Sequence, residues 1–79
     1  MNADVDIDAR RLFCPLPVIK LQNCIRQQAP GTRVRIVSTD PGSLNDIPTW
    51  CRISGHPVLQ IDDLETEFVF LVQKGEDEA

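Results

Sequence analysis

The sequence predicts an α/β (α+β) two-layer sandwich with element order β-α-β-α-β-β, in which two helices cover one face of a four-stranded mixed sheet. Three observations lead there. Residues 4–8 and 33–38 alternate polar and apolar residues with the period of a half-buried strand, and each is followed by apolar residues at helical spacing. Such strand-to-helix units cross over right-handedly, which places both helices on the same side of the sheet. The last third of the chain carries two apolar runs parted by an acidic turn, the pattern of a hairpin.

In chain order, the first strand is expected over residues 4–8, with Val5 and Ile7 on one side. The first helix is expected over residues 15–28, where Val18, Leu21, Ile25 and Ala29 recur at helical spacing until Pro30-Gly31 stops them. Arg33 to Ser38 forms the second strand, Val34 and Ile36 facing one way and Arg33, Arg35 and Val37 the other. Asp40-Pro41-Gly42 is a turn. Ser43 reads as the N-cap of a second helix over residues 44–53, with Asp46 completing a weak capping box and Leu44, Ile47 and Cys51 on the inner face. Pro48 removes one helical hydrogen bond and predicts an irregular opening turn, while Gly55 and Pro57 close the helix. Strands over residues 58–61 and 66–73 make the hairpin. The last is apolar on both faces, as an interior strand is.

A chain of 79 residues, 42% hydrophobic and 25% charged, is expected to form one domain over residues 1–79, with a disordered acidic tail over 75–79. Its core is too thin for a deep cofactor pocket, so chemistry is expected at the surface. The net charge of −4 is unevenly spread: residues 1–39 hold six basic and three acidic side chains, residues 40–79 two and nine. Ordinary solvated faces and a basic surface for an acidic partner are both compatible with that. With four aromatic residues and no basic stripe, direct nucleic-acid binding is not expected. Nor is a membrane role, since no apolar run approaches bilayer length and residues 1–11 lack the pattern of a signal peptide. A cytoplasmic location is expected.

Cys14, Cys24 and Cys51 are odd in number, widely spaced and without a C-x-x-C pair, so they read as thiols rather than a disulfide frame. This also argues against thioredoxin-like exchange. Cys51 and Cys24 are expected to pack on or beside the helices' inner faces. His56, the one histidine, reads as a loop residue, and its spacing from the cysteines matches no zinc pattern, so no metal site is expected.

Cys14 stands apart because Cys14-Pro15-Leu16-Pro17 begins a helix. Proline favours the first helical position, so Cys14 is expected at or beside the N-cap, where free N–H groups and the positive dipole end lower a thiol's pKa. The two prolines stiffen the corner, leaving Leu16 and Val18 as the N–H donors of this turn. On the residues alone, Cys14 reads equally as a reactive thiolate and as a small, partly buried hydrophobe.

Two motifs then carry a resemblance. Asp8-Ala9-Arg10 with Leu12 and Cys14-Pro15-Leu16-Pro17 resembles the N-terminal signature of the TusA family of sulfur carriers, whose members are also described as SirA-like or YedF-like. Asp40-Pro41, then Asp46-Ile47-Pro48 with Trp50-Cys51, is similar to the family's second signature. The resemblance implies a carrier that holds sulfur as a covalent persulfide on Cys14, with no other cofactor. It implies a cysteine desulfurase or rhodanese-like donor and an acceptor protein, serving tRNA thiolation, molybdenum-cofactor or molybdoenzyme maturation, or sulfur metabolism. Many family members carry a basic residue before the cysteine and an acidic one between the prolines. Here Phe13 and Leu16 stand there, which favours an apolar docking partner over the tRNA relay. Pro15, Leu16 and Pro17 are thus the motif support, and Arg10, Arg11 and Phe13 the candidate partner contacts. The alternative is a non-catalytic binding or regulatory module that docks through the CPLP turn and the open sheet face.

Overall fold

The computed structural model describes residues 3–75, and the six elements follow in the expected order. They are β1 (Val5–Ala9), α1 (Leu16–Ile25), β2 (Arg33–Ser38), α2 (Ser43–Ser54), β3 (Val58–Asp63) and β4 (Phe68–Gln73). The sheet order is β1-β2-β4-β3. β1 runs parallel to β2, with Val5 opposite Val34 and Ala9 opposite Ser38. β4 pairs antiparallel with β2, Phe70 opposite Ile36, and with β3, Phe70 opposite Ile61. Its two-sided apolar pattern is thereby explained: β4 lies inside the sheet and is covered on both faces.

Both helices pack on one face. Leu21 and Ile25 from α1 and Ile47 and Cys51 from α2 join Ile7, Ala9, Val34, Ile36, Phe68, Phe70 and Val72 in one core. Burying a side chain such as Phe70 or Leu21 completely contributes about 1.5–3 kcal/mol. The other face is a narrower stripe. Val37, Val69 and Leu71 are only 7%, 4% and 6% exposed, since the register sets Asp8 beside Val37, Asp62 beside Val69, and Arg35 and Gln60 beside Leu71. An ion pair from Asp6 to Arg35 at 3.5 Å borders that stripe. The open face therefore offers little free apolar surface for docking.

Several local expectations are corrected. α1 begins at Leu16, with Pro15 at the cap and Pro17 in the first turn, so Pro15 is not the first helical residue. Pro17 is fully buried and, with Leu21 and Ile25, makes an i, i+4, i+8 stripe; Val18 is half-buried and packs against the core's edge, and Ala29 is exposed beyond the helix. The expected end at residue 28 is a tightened turn, with N–H groups of Gln27 and Gln28 bonded to the carbonyls of Cys24 and Ile25.

Ser43 is not an N-cap either. It lies inside α2, behind Gly42, and its hydroxyl is buried against the Ser38 hydroxyl at 2.7 Å. Asp40 serves the helix start instead, its carbonyl accepting from Ser43 N–H at 2.9 Å and its carboxylate from Gly42 N–H at 3.2 Å. The helix continues through Pro48; at its start Leu44 and Asn45 N–H bond three residues back, to Pro41 and Gly42, and Asp46 N–H four back, to Gly42. Gly55 ends it in the left-handed region at φ 81°, which costs a glycine little. The acidic tail lies outside the described residues apart from Gly75, whose N–H donates to His56 Nδ1 at 2.9 Å. No helix among the described residues is long and apolar enough to cross a membrane.

Candidate functional site at Cys14

Of the three cysteines, Cys14 is exposed, Cys24 half-buried and Cys51 buried. Cys51 belongs to the core, and burial pushes its thiol up to about 12, so it stays a neutral packing group. Cys24 packs at the core's margin, where Gln28 Nε2 donates to its sulfur at 3.8 Å and to its carbonyl at 3.3 Å.

Cys14 is held where α1 and α2 begin. Its N–H donates to Asp40 Oδ2 at 2.7 Å, which ties it to the turn between β2 and α2. That turn is itself fixed from beneath, Asp40 N–H donating to the buried Ser38 hydroxyl at 3.1 Å. The Cys14 thiol donates to Asp46 Oδ2, and Asn45 Nδ2 reaches the other carboxylate oxygen at 3.5 Å. Asp46 thus spends its carboxylate on Cys14 rather than on a capping box.

This contact reverses the expected electrostatics. The thiol pKa is raised above its ordinary value, first by the hydrogen bond to Asp46, then by desolvation and by the charges of Asp46 and Asp40. Every charged group acting on it is acidic. The helix start offers less help than expected, because Leu16 N–H is spent on the Phe13 carbonyl at 2.8 Å and both prolines lack an N–H, which leaves Val18 as the remaining donor of the two expected. The contact favours the thiol form of Cys14 over the thiolate.

A shallow, largely apolar groove of about 310 Å³ opens beside the sulfur, lined by Cys14, Pro15 and Val18 on one side and Asp46, Thr49, Trp50 and Ile53 on the other. The α2 residues stand at i, i+3, i+4 and i+7, one face of a helix. Large apolar side chains are exposed around it: Ile53 at 77%, Phe13 at 74% and Leu16 at 49%. Phe13 and Leu16 thus stand, as expected, as free apolar surface next to the thiol.

The arginines are elsewhere. Arg10 forms ion pairs with Asp8 at 3.0 Å and Glu67 at 3.4 Å, and its hydrogen bond holds the Asp8 carboxyl down to about 2. Arg11, at φ 68°, donates its N–H to Thr39 Oγ1 at 2.8 Å. With Asp8, Thr39 and Glu67 these two line a separate depression, so neither borders the Cys14 groove. His56 is buried beyond the far end of α2, about two helical turns or more from Asp46, and its ring lies 5.4 Å from Trp50. Among the described residues no group of three or more His, Cys, Asp and Glu comes together to hold a metal.

Asp40 and Asp46, expected as turn and capping residues and as part of the second signature, stand at Cys14, where the sequence did not place them. Their signal was present: Asp46, Thr49, Trp50 and Ile53 form a second, outward stripe of α2 beside the inward Leu44, Ile47 and Cys51.

Comparison with known proteins agrees with this architecture. Residues 5–74 match the family model described as "Sulfurtransferase TusA". The chain is 33% identical over 76 residues to the sulfur carrier protein TusA of Pseudomonas aeruginosa strains LESB58 and UCBPP-PA14, covering 96% of each chain. The crystal structure of a SirA-like protein from Desulfitobacterium hafniense superposes with a TM-score of 0.78 over 91% of this chain and 99% of that one, at 19% identity. It shares the fold.

Proposed function

The chain belongs to the TusA family of sulfurtransferases, and from that membership we propose that it carries sulfane sulfur as a persulfide on Cys14. The observation that carries this reading is the thiol's placement. Cys14 is the exposed cysteine of the three, fixed by its backbone to Asp40 and ringed by uncovered apolar side chains on a projecting corner. A carrier needs that geometry, because its sulfur must enter two other active sites in turn.

In loading, Cys14 Sγ attacks the outer sulfur of a donor persulfide. A new S–S bond forms, the donor's S–S bond breaks, and its electron pair leaves on the donor sulfur, which takes up the proton Cys14 lost. In unloading, an acceptor thiolate attacks the outer sulfur and Cys14 is the leaving group. Each exchange moves one sulfur atom and needs no outside oxidant or reductant. A cysteine desulfurase or rhodanese-like enzyme is the donor class and a sulfur-accepting protein the recipient, in the cytoplasm. The apolar rim of Phe13, Leu16 and Ile53 suits a recipient that presents apolar surface, and sulfur metabolism or molybdoenzyme maturation fits it better than the tRNA relay.

The test is loading with a cysteine desulfurase and free cysteine, followed by peptide mass mapping. A gain of one sulfur atom on the Cys14 peptide, absent in Cys14→Ser, is expected; equal loading of Cys14→Ser overturns the reading. A pure docking module would retain function in Cys14→Ser and lose it in Phe13→Asp or Leu16→Asp.

A further inference from the structure

A sulfur carrier whose nucleophile is held as a thiol between two carboxylates poses a chemical problem, because only the thiolate attacks sulfur. We propose that Asp46 is a positioning residue for Cys14: its carboxylate accepts the Sγ–H and holds the unloaded sulfur against α2, so Cys14 becomes a better nucleophile when a docked partner displaces or neutralises that carboxylate. This rests on the sulfur-carrying reading and adds the condition under which the carrier accepts its cargo.

The geometry isolates Asp46 as the controlling group. On α2 it is the one charged residue lining the groove, beside Thr49, Trp50 and Ile53. From the α1 side, Pro15 and Val18 carry no charge. In the turn after β2, Asp40 faces the backbone of Cys14, its two oxygens taken by the N–H groups of Cys14 and Gly42. Of the basic groups near Cys14 in sequence, Arg11 lines the separate depression beside Thr39, Lys20 Nζ donates to the Asp8 carbonyl at 2.8 Å, and Arg10 is paired with Asp8 and Glu67. No basic group among the described residues forms an ion pair with Asp46. A partner that loads Cys14 must therefore bring a cationic group or a competing donor into the groove as its apolar surface meets Phe13, Leu16 and Ile53.

Persulfide formation also breaks the contact from the carrier's side. The loaded Sγ bears sulfur instead of hydrogen, so it has no proton to donate, and an ionised outer sulfur is repelled by the carboxylate. Loaded and unloaded forms thus expose different surfaces to donor and acceptor.

The experiment measures alkylation of Cys14 by iodoacetamide from neutral to alkaline pH, read on the Cys14 peptide by mass spectrometry, in the parent, Asp46→Asn and Asp46→Glu proteins. Iodoacetamide is uncharged, so removing a charge cannot act by steering the reagent. In Asp46→Asn the midpoint of the pH–rate profile is expected to fall and the neutral-pH rate to rise severalfold, since the gain in thiolate is only partly offset by lower intrinsic nucleophilicity. Asp46→Glu is expected to track the parent.

An unchanged or higher midpoint in Asp46→Asn overturns the proposal. So does an Asp46→Glu profile that follows Asp46→Asn, which would assign the effect to the helix start rather than to the carboxylate. Because no sulfur donor is used, such a failure leaves the carrier reading standing. Conversely, sulfur loading of Cys14→Ser would remove that reading without touching the alkylation result.

Discussion

The reactive corner rests on a buried pair of hydroxyls, and a double-mutant cycle on that pair tests how the corner is built. Ser38 and Ser43 are 0% and 1% exposed, their oxygens 2.7 Å apart, and Ser38 also accepts Asp40 N–H at 3.1 Å. Ser43→Ala leaves a buried Ser38 hydroxyl short of one partner, which costs about 1–3 kcal/mol. Ser38→Ala strands both the Ser43 hydroxyl and Asp40 N–H, so its cost falls at or above the upper end of that range. Replacing both removes the stranded hydroxyl, and the double variant is expected to be more stable than the sum of the single costs by about 1 kcal/mol or more.

Against a total of about 4–12 kcal/mol for a chain of this length these are large losses, equivalent to about 4–8 °C in Tm for each kcal/mol. Urea unfolding followed through Trp50, the sole tryptophan, measures them. Costs that simply add, or single costs below about 0.5 kcal/mol, would refute the claim that the pair acts as a unit beneath Asp40. Loosening the Asp40 turn also frees Cys14 N–H, so Ser38→Ala is expected to alter the Cys14 alkylation rate under native conditions, while Leu64→Ala on the exposed β3–β4 turn is not.

Leu16→Asp and Ile53→Asp, both at exposed positions, are expected to change stability by no more than about 0.5 kcal/mol while slowing partner-dependent sulfur loading; stopped-flow loading against urea melts separates the two effects. Cys51 has a folded pKa of about 12, above its ordinary 9.0, so its contribution is complete below pH 9.0 and is lost as the pH rises towards 12. Urea midpoints on the alkaline side should therefore fall less steeply in Cys51→Ala than in the parent. Asp8 behaves in the opposite sense: its pKa is lowered from 3.8 to about 2 by Arg10, so its small contribution is present above pH 3.8 and disappears as the pH falls through 2. Asp8→Asn should lie below the parent in acid-titrated melts near neutrality and meet it at the acid end.

Much of this fold was legible because its signals are local. Alternation marked β1 and β2, Pro30-Gly31 and Gly55 marked where helices stop, and the two-sided apolar run placed β4 inside the sheet. Cys14 was legible as a candidate site, because a thiol just ahead of two prolines at a helix start is a sequence pattern. Its ionisation was not. The group whose hydrogen bond does most to raise its pKa, Asp46, lies 32 residues away, while at the helix start Leu16 N–H is spent on Phe13 and both prolines lack an N–H. Ser43 failed as a cap for a related reason: spacing assigns a residue to a helix end, but only the fold reveals that a serine on β2 waits beneath it. Arg10 has a sequence position beside the reactive turn and a spatial one on the sheet's open face, paired with a glutamate 57 residues away.

The strand order has a consequence for how the molecule tolerates company. β1 and β3 are the sheet's outermost strands, each with an unpaired row of backbone donors and acceptors that can template another strand. β1 carries Asp6 and Asp8, β3 carries Asp62 and Asp63, and Asp4 sits just ahead of β1. Both edges therefore carry carboxylates, and like charges facing across a ladder disfavour pairing. The acidic excess of the chain thereby gains a location and a purpose in solubility. It guards the two places where so small a sheet would otherwise grow by addition of its own copies.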